Sequence, residues 1–174
     1  TFTHANNTVV FDPASGTKTI NSTGATDDDF YDVIVNDGGG TGTVQLAGTN
    51  IQVDGDLTIE DGTYDINNLQ TLVTGSFSKT GGNINMDQAS DHINVDGDFT
   101  VSGDGGASAL QDGSIVVAGD VAISNDNVFQ MGNSVGYPVF SMDGAVSKGI
   151  SVSGTGNYFG TSGATGEFDI DKTG

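Results

Sequence analysis

The chain has no cysteine, no tryptophan and no arginine, and among its 174 residues only two are proline and four are lysine. Without cysteine there is neither a disulfide framework nor a thiolate metal site. Lys18, Lys79, Lys148 and Lys172 are scattered, so nothing can neutralise a run of phosphates, and nucleic acid and anionic lipid are excluded as partners. The same shortage of positive charge speaks against cleavage of anionic polysaccharides. No apolar run approaches the roughly 18 residues of a membrane helix, so no direct membrane insertion is expected. His4 and His92 are the only imidazoles and no HExxH accompanies them, which leaves no zinc centre and no nucleophile–histidine triad to argue for. Good helix formers are also few, so long helices are not expected.

What is present is glycine, 28 residues of it, and acid: 23 Asp and Glu against the four lysines, for a formal net charge of −19. Nearly all of the acid is aspartate, the residue that suits turns. An acidic, cysteine-free, Asn- and Thr-rich chain fits an extracellular prokaryotic protein. No signal peptide is visible, as expected of a mature chain or a segment of a longer one.

One phrase recurs. Residues 51–59 read IQVDGDLTI, 93–101 read INVDGDFTV and 115–123 read IVVAGDVAI. Looser copies surround Gly75 (LVTGSFS) and Gly144 (FSMDGAVS), giving spacings of 20, 22, 22 and 25 residues from Gly55 onward. A second strand-like element follows each copy: TYDI at 63–66, NINM at 83–86, ASAL at 107–110, VFQM at 128–131. Within a phrase, Ile51, Val53, Leu57 and Ile59 alternate with polar residues, the period of a strand with one dry face. The central glycine reads as a bend or bulge that lets the strand turn a corner. A unit this short makes one coil of two or three strands, and coils stacked in register bury a continuous column. The expectation is therefore an all-β chain forming a single right-handed parallel β-helix (β-solenoid), with coils of about 20–25 residues. One domain would span 1–174: less regular first coils at 1–50, clear repeats at 51–146 and terminal coils at 147–174. Strands are expected in the first part at TVVF (8–11), TKTI (17–20), FYDVIV (30–35) and TVQL (43–46). An antiparallel sandwich would also have short strands, but its strands need not resemble one another.

The order TVVF–DPASGTKTI–FYDVIVNDGGGTGTVQLAG–NIQVDGDLTIEDGTYDI–LQTLVTGSFS resembles the secreted β-helix repeat regions of large prokaryotic surface proteins, the adhesin-like and autotransporter-passenger-like regions. The likeness covers most of residues 8–146. It implies a secreted, cell-surface solenoid and says little about chemistry.

Candidate sites follow from the repeats. Asp54, Asp56, Asp96, Asp98 and Asp120 flank the central glycines; carboxylates on adjacent coils would repel unless water screens them or a hard cation bridges them. Solvated turn aspartates are the simpler reading and Ca²⁺ the sharper one; no other cofactor is implied. Asp27, Asp28 and Asp29 read as a solvated turn. Phe77, Phe99, Phe129 and Phe140 read as core stacks, whereas Tyr64, Tyr137, Tyr158 and Phe159 are the aromatics to check for a binding surface. At the ends, Phe2, Val9 and Phe11, and Phe168 and Ile170, look like strands seeking partners rather than caps, and head-to-tail contact between unlike ends builds a filament. A strand donated to the neighbouring subunit would strengthen it. The function expected is a non-catalytic extracellular structural or adhesive protein. Its partners would be other copies of itself in a head-to-tail polymer, with glycans or another cell surface as further partners. A polysaccharide-binding or polysaccharide-cleaving β-helix is the alternative.

Overall fold

A computed structural model describes residues 5–22, 28–103, 108–126, 129–131, 138–143, 147–155, 157–159 and 167–171. Among them there are 21 β-strands and no helix. The strands recur in threes along the chain, and each joins the strand three places before and after it in a parallel ladder. The result is a β-solenoid with three faces. Face A stacks seven strands, from Thr8–Phe11 at one edge to Ile150–Val152 at the other. Face C also stacks seven, from Asp28–Phe30 to Glu167–Asp171. Face B lies between them in each coil. It is divided into Thr17–Ser22 through Asn83–Asn85 and Ser108–Leu110 through Tyr158–Phe159, which are joined by one bridge from Met86 to Leu110.

The repeated phrase is not one strand but two on different faces. Ile51–Val53 belongs to face C and Leu57–Ile59 to face A, and both bury their first and third residues. Gly55 lies in the corner between them, as the bend expected from sequence. The backbone carries a hydrogen-bond ladder through this corner: Gly55 N–H donates to Tyr31 O at 2.7 Å, Gly75 N–H to Gly55 O at 2.9 Å and Gly97 N–H to Gly75 O at 2.9 Å. A Cβ on Gly97 would sit 2.4 Å from the Gly75 carbonyl oxygen. Glycine recurs here because successive backbones approach too closely for any side chain between them. FYDVIV divides in the same way. Where one strand was expected there are two, Asp28–Phe30 on face C and Asp32–Val35 on face A, with Tyr31 at the corner. Asp28 and Asp29 accordingly lie in a strand and not in the solvated turn expected of them, because Phe30 needs an inward position paired with Val53; Asp27 lies outside the described residues.

Val9, Val33, Leu57, Phe77, Phe99, Val121 and Ile150 stand side by side up face A. Successive coils are thus 24, 24, 20, 22, 22 and 29 residues long. The longest is lengthened at two places. Leu110 pairs with Met131 and Ser114 with Val139, so eight residues separate Met131 from Val139 where four separate Leu110 from Ser114. Val117 pairs with Met142 and Val121 with Ile150, so eight residues separate the later pair members where four separate the earlier. FSMDGAVS is a true copy in its first half only; Gly144 lies outside the described residues.

The residues that the phrase and its copies turn inward by alternation (Val53, Leu57, Ile59, Val73, Phe77, Ile93, Val95, Phe99, Val101, Val117, Val121 and Ile123) are all buried. The four phenylalanines pack as expected too. Phe77 and Phe99 stack at 4.9 Å with rings nearly parallel, and Phe129 and Phe140 meet Phe99 edge-on at 6.0 and 5.6 Å. Each ring contributes about 1.5–3 kcal/mol by leaving water. Together they tie all three faces across three successive coils.

Candidate functional site

The residue that enters each face A strand forms a column: Asp32, Asp56, Ser76, Asp98, Asp120 and Gly149. Its side chains do a repeated job. The N–H of Asp56 donates to Asp32 Oδ1 at 3.0 Å, that of Ser76 to Asp56 Oδ1 at 2.7 Å and that of Asp98 to Ser76 Oγ at 3.3 Å. Asp120 N–H donates to Asp98 Oδ1 at 2.8 Å and Gly149 N–H to Asp120 Oδ1 at 2.8 Å. Every corner therefore offers a side-chain oxygen to the amide of the next coil. Charged acceptors make these bonds stronger than neutral ones, which gives the Gly-Asp pair a structural reason to recur.

The five aspartates singled out in the sequence fall into two columns. Asp56, Asp98 and Asp120 belong to the one just described, and Ser76 separates the first two. Asp54 and Asp96 lie two residues earlier, at the end of face C strands, with Thr74 between them by the register that pairs Val53 with Val73 and Val73 with Val95. Asp54 Oδ1 accepts the Gln52 side-chain amide at 2.6 Å. Of these five, only Asp98 and Asp120 occupy the same column on adjacent coils, a step of about 4.8 Å, as Asp32 and Asp56 also do earlier in that column. Each already holds an amide through one oxygen, and no group of three or more His, Asp or Glu that could hold a metal occurs among the described residues.

Other acidic groups are likewise engaged in holding coils and corners. Asp65 Oδ2 accepts the Gln45 amide at 2.7 Å from the coil before and Oδ1 that of Asn85 at 3.2 Å from the coil after. Asp37 is buried and accepts the N–H groups of Gly40 and Gly42 at 2.9 and 2.6 Å. Asp91, also buried, gathers three amides, those of Asn68, Asp87 and Gln88, at 2.6, 2.9 and 3.0 Å. Burial raises the Asp91 carboxyl above its ordinary value, and the three N–H donors oppose that shift.

His92 is half-buried on face C; its Nδ1 is hydrogen-bonded to Ser114 Oγ on the next coil, and burial lowers its pKa. His4 lies outside the described residues. Tyr64 corrects an expectation: instead of offering a binding surface, it is fully buried, with its hydroxyl bonded to Thr71 Oγ1 at 2.8 Å and its pKa raised by burial. Its position in TYD is the inward one of a three-residue strand. Tyr137 lies outside the described residues, as do the side chains of Tyr158 and Phe159.

Lys79 is the residue that sequence reading passed over. It stands between Ile59 and Val101 in an inward column of face A, fully buried, and burial lowers its pKa to about 8. Alternation in SFSKT carries the signal, since Phe77 and Lys79 must share a face.

Of the end residues, Val9 and Phe11 lie half-buried in the first face A strand, and Phe11 meets Phe30 edge-on at 5.9 Å. Phe168 and Ile170 pair through the backbone with Phe140 and Met142 in the last face C strand; their side chains and all of Phe2 lie outside the described residues. The apolar side chains most open to solvent were not anticipated: Val10, Ile150 and Val152, which are 57, 37 and 46% exposed. Comparison with protein-family models, curated proteins and solved structures returned no match to this chain.

Proposed function

We propose that this chain is a non-catalytic extracellular structural or adhesive module, of the adhesin-like and autotransporter-passenger-like kind, which associates head to tail with copies of itself. The observation that carries the reading is the use made of the polar side chains. Groups with the chemistry for catalysis, Asp56, Asp98, Asp120, Asp65 and Asp91 among them, serve as acceptors that bind one coil or corner to the next. A repeated fastening of this kind serves length and rigidity. The acidic, cysteine-free composition supports an extracellular setting, and a net charge of −19 keeps single copies soluble. Electron microscopy and light scattering of the purified chain test the proposal, with filaments or head-to-tail oligomers as the expected product. Turnover of a polysaccharide in a glycan panel would overturn the non-catalytic reading, and a chain that stays monomeric at high concentration and high salt would overturn self-association.

A further inference from the structure

Face A ends, among the described residues, in two strands with one free side each, Thr8–Phe11 and Ile150–Val152. In the five coils between them the inward positions of this face are filled by pairs such as Val33 and Val35, or Phe99 and Val101, all buried. Ile150 and Val152 occupy the same two columns, yet both are exposed. Beside them lies a groove of about 250 Å³ lined by Asp120, Val121, Ala122, Gly149, Ile150 and Ser151. At the other edge, Val9 and Phe11 occupy those columns again.

We infer that the strand Thr8–Phe11 of a second copy docks on Ile150–Val152 as the next rung of face A, with Val9 beside Ile150, Val10 beside Ser151 and Phe11 beside Val152. This inference rests on the proposed self-association and names its surfaces and register. The coil-to-coil interface inside the chain supplies the template, and the docked strand continues it. Within face A each inward amide donates to the carbonyl of the residue that enters the next strand: Leu57 to Ser76 at 3.0 Å, Phe77 to Asp98 at 2.8 Å, Phe99 to Asp120 at 2.8 Å, Val121 to Gly149 at 2.9 Å. Continued by one step, the rule brings Ile150 N–H to the Thr8 carbonyl of the second copy. A half-step of the column is also returned from above, as Thr80 N–H donates to Ile59 O at 2.9 Å and Ser153 N–H to Ile123 O at 2.8 Å, so Asp12 N–H of the second copy meets Val152 O. Two apolar side chains from each copy then bury one another, in the same columns that form the core below. Charge opposes the contact, since each copy carries −19; docking therefore strengthens as salt shortens the screening length from about 10 Å at 0.1 M to about 3 Å at 1 M.

The absence of native cysteine makes the register directly testable. In the inferred dock Val10 and Ser151 point outward from neighbouring strands at about 4.8 Å, within the span of about 4.4–6.8 Å that a disulfide bridges. The double variant Val10→Cys, Ser151→Cys, mildly oxidised in 0.5 M NaCl, should give a ladder of covalent multimers. Peptide mass spectrometry should find residue 10 joined to residue 151. Each single variant can give at most a dimer. Thr8→Cys with Ser151→Cys, two residues out of register, should cross-link far less. Circular dichroism of each variant checks the fold, and light scattering of the cysteine-free parent reports association independently. If the parent associates but the 10–151 link is missing, or the 8–151 link forms equally well, the inferred dock is wrong while self-association stands. If the parent does not associate at any salt concentration, both fall.

Discussion

Replacing Lys79 by methionine should stabilise this protein at neutral pH. The side chain is fully buried between Ile59 and Val101, and burial lowers its pKa from 10.5 to about 8. The unfolded chain therefore holds the proton more tightly than the folded one. Below pH 8 both states carry the charge and the folded state bears the full desolvation cost. As the pH rises from 8 towards 10.5 the folded state is already neutral while the unfolded state is still protonated, and the cost fades. It amounts to about 3 kcal/mol if the whole interval counts, and about 2 kcal/mol once water's screening near the end of the side chain is allowed for. Methionine keeps most of the stem's volume and adapts to irregular space, so repacking should cost little. Urea denaturation of parent and variant at pH 7 and pH 10 provides the assay, and the difference between the two proteins cancels every other titrating group. The Lys79→Met variant should be favoured by about 2 kcal/mol at pH 7 and by less than half of that at pH 10. A variant less stable than the parent at pH 7 would show that a contact of the ammonium outweighs its desolvation. A gap that does not change with pH would show that the lysine stays solvated.

Gly97→Ala should cost about 1–3 kcal/mol or more, because its Cβ would meet the Gly75 carbonyl at 2.4 Å, whereas Gly149→Ala, with nothing nearer than Asp120 Oδ1 at 3.9 Å, should stay within about 0.5 kcal/mol of the parent; equal denaturation midpoints for the two would refute the close-approach account of the corner. Asp91→Asn puts an NH₂ group where the carboxylate accepts amides and should lose about 2 kcal/mol, while the parent, whose Asp91 pKa is raised, should lose part of its stability as pH climbs through and above the ordinary carboxylate range and the variant should not. Phe99→Asp should abolish the cooperative unfolding transition and Thr58→Asp, on the outer side of face A, should leave it, as followed by circular dichroism; two similar melts would mean that the inward column is misassigned. If the Asp98–Asp120 pair takes up Ca²⁺, calcium should raise the melting temperature with saturation at a defined stoichiometry and chelation should lower it; an equal effect from NaCl at the same ionic strength would reduce this to screening of the net charge.

Much of the fold was legible because its signal is written several times. Alternation in IQV and LTI gave the inward residues, and repetition at about 22 residues gave the stacking, since only a solenoid needs the same phrase in every coil. The boundary inside the phrase is marked by its glycine alone. Val53 and Leu57 sit four apart, an even number, so a corner between them leaves the alternation intact and alternation by itself does not tell one long strand from two short ones. FYDVIV hid its corner at Tyr31 for a related reason, with no glycine to mark it. The acceptor ladder was half legible: the column of aspartates was visible, but its partners are backbone amides one coil later, which no side-chain pattern records. Lys79 is masked by its type, which argues for solvent, while its position two residues after Phe77 argues for the core. Ile150 and Val152 lie beyond the lengthened corner, where counting from Gly144 loses register by four residues, and their exposure depends on which strand ends the sheet.

Because each coil is bonded only to the coils on either side, the molecule should respond to pulling differently from a compact globule. Tension on the two ends of the chain lifts the outermost coil away from its neighbour, opening its hydrogen bonds one after another instead of shearing them together. Each coil of 24 residues detached at the first end, drawn out at about 3.3 Å per residue, releases roughly 80 Å of slack. The terminal coils should therefore act as a spring that unwinds one coil at a time under low force and rewinds on the template left behind. Peeling should stall where Phe99, Phe129 and Phe140 interlock, since lifting the coil that carries Phe129 and Phe140 breaks the contacts of both rings with Phe99 at once. A tether with a yielding end and a firm middle absorbs a sudden load without losing its anchor.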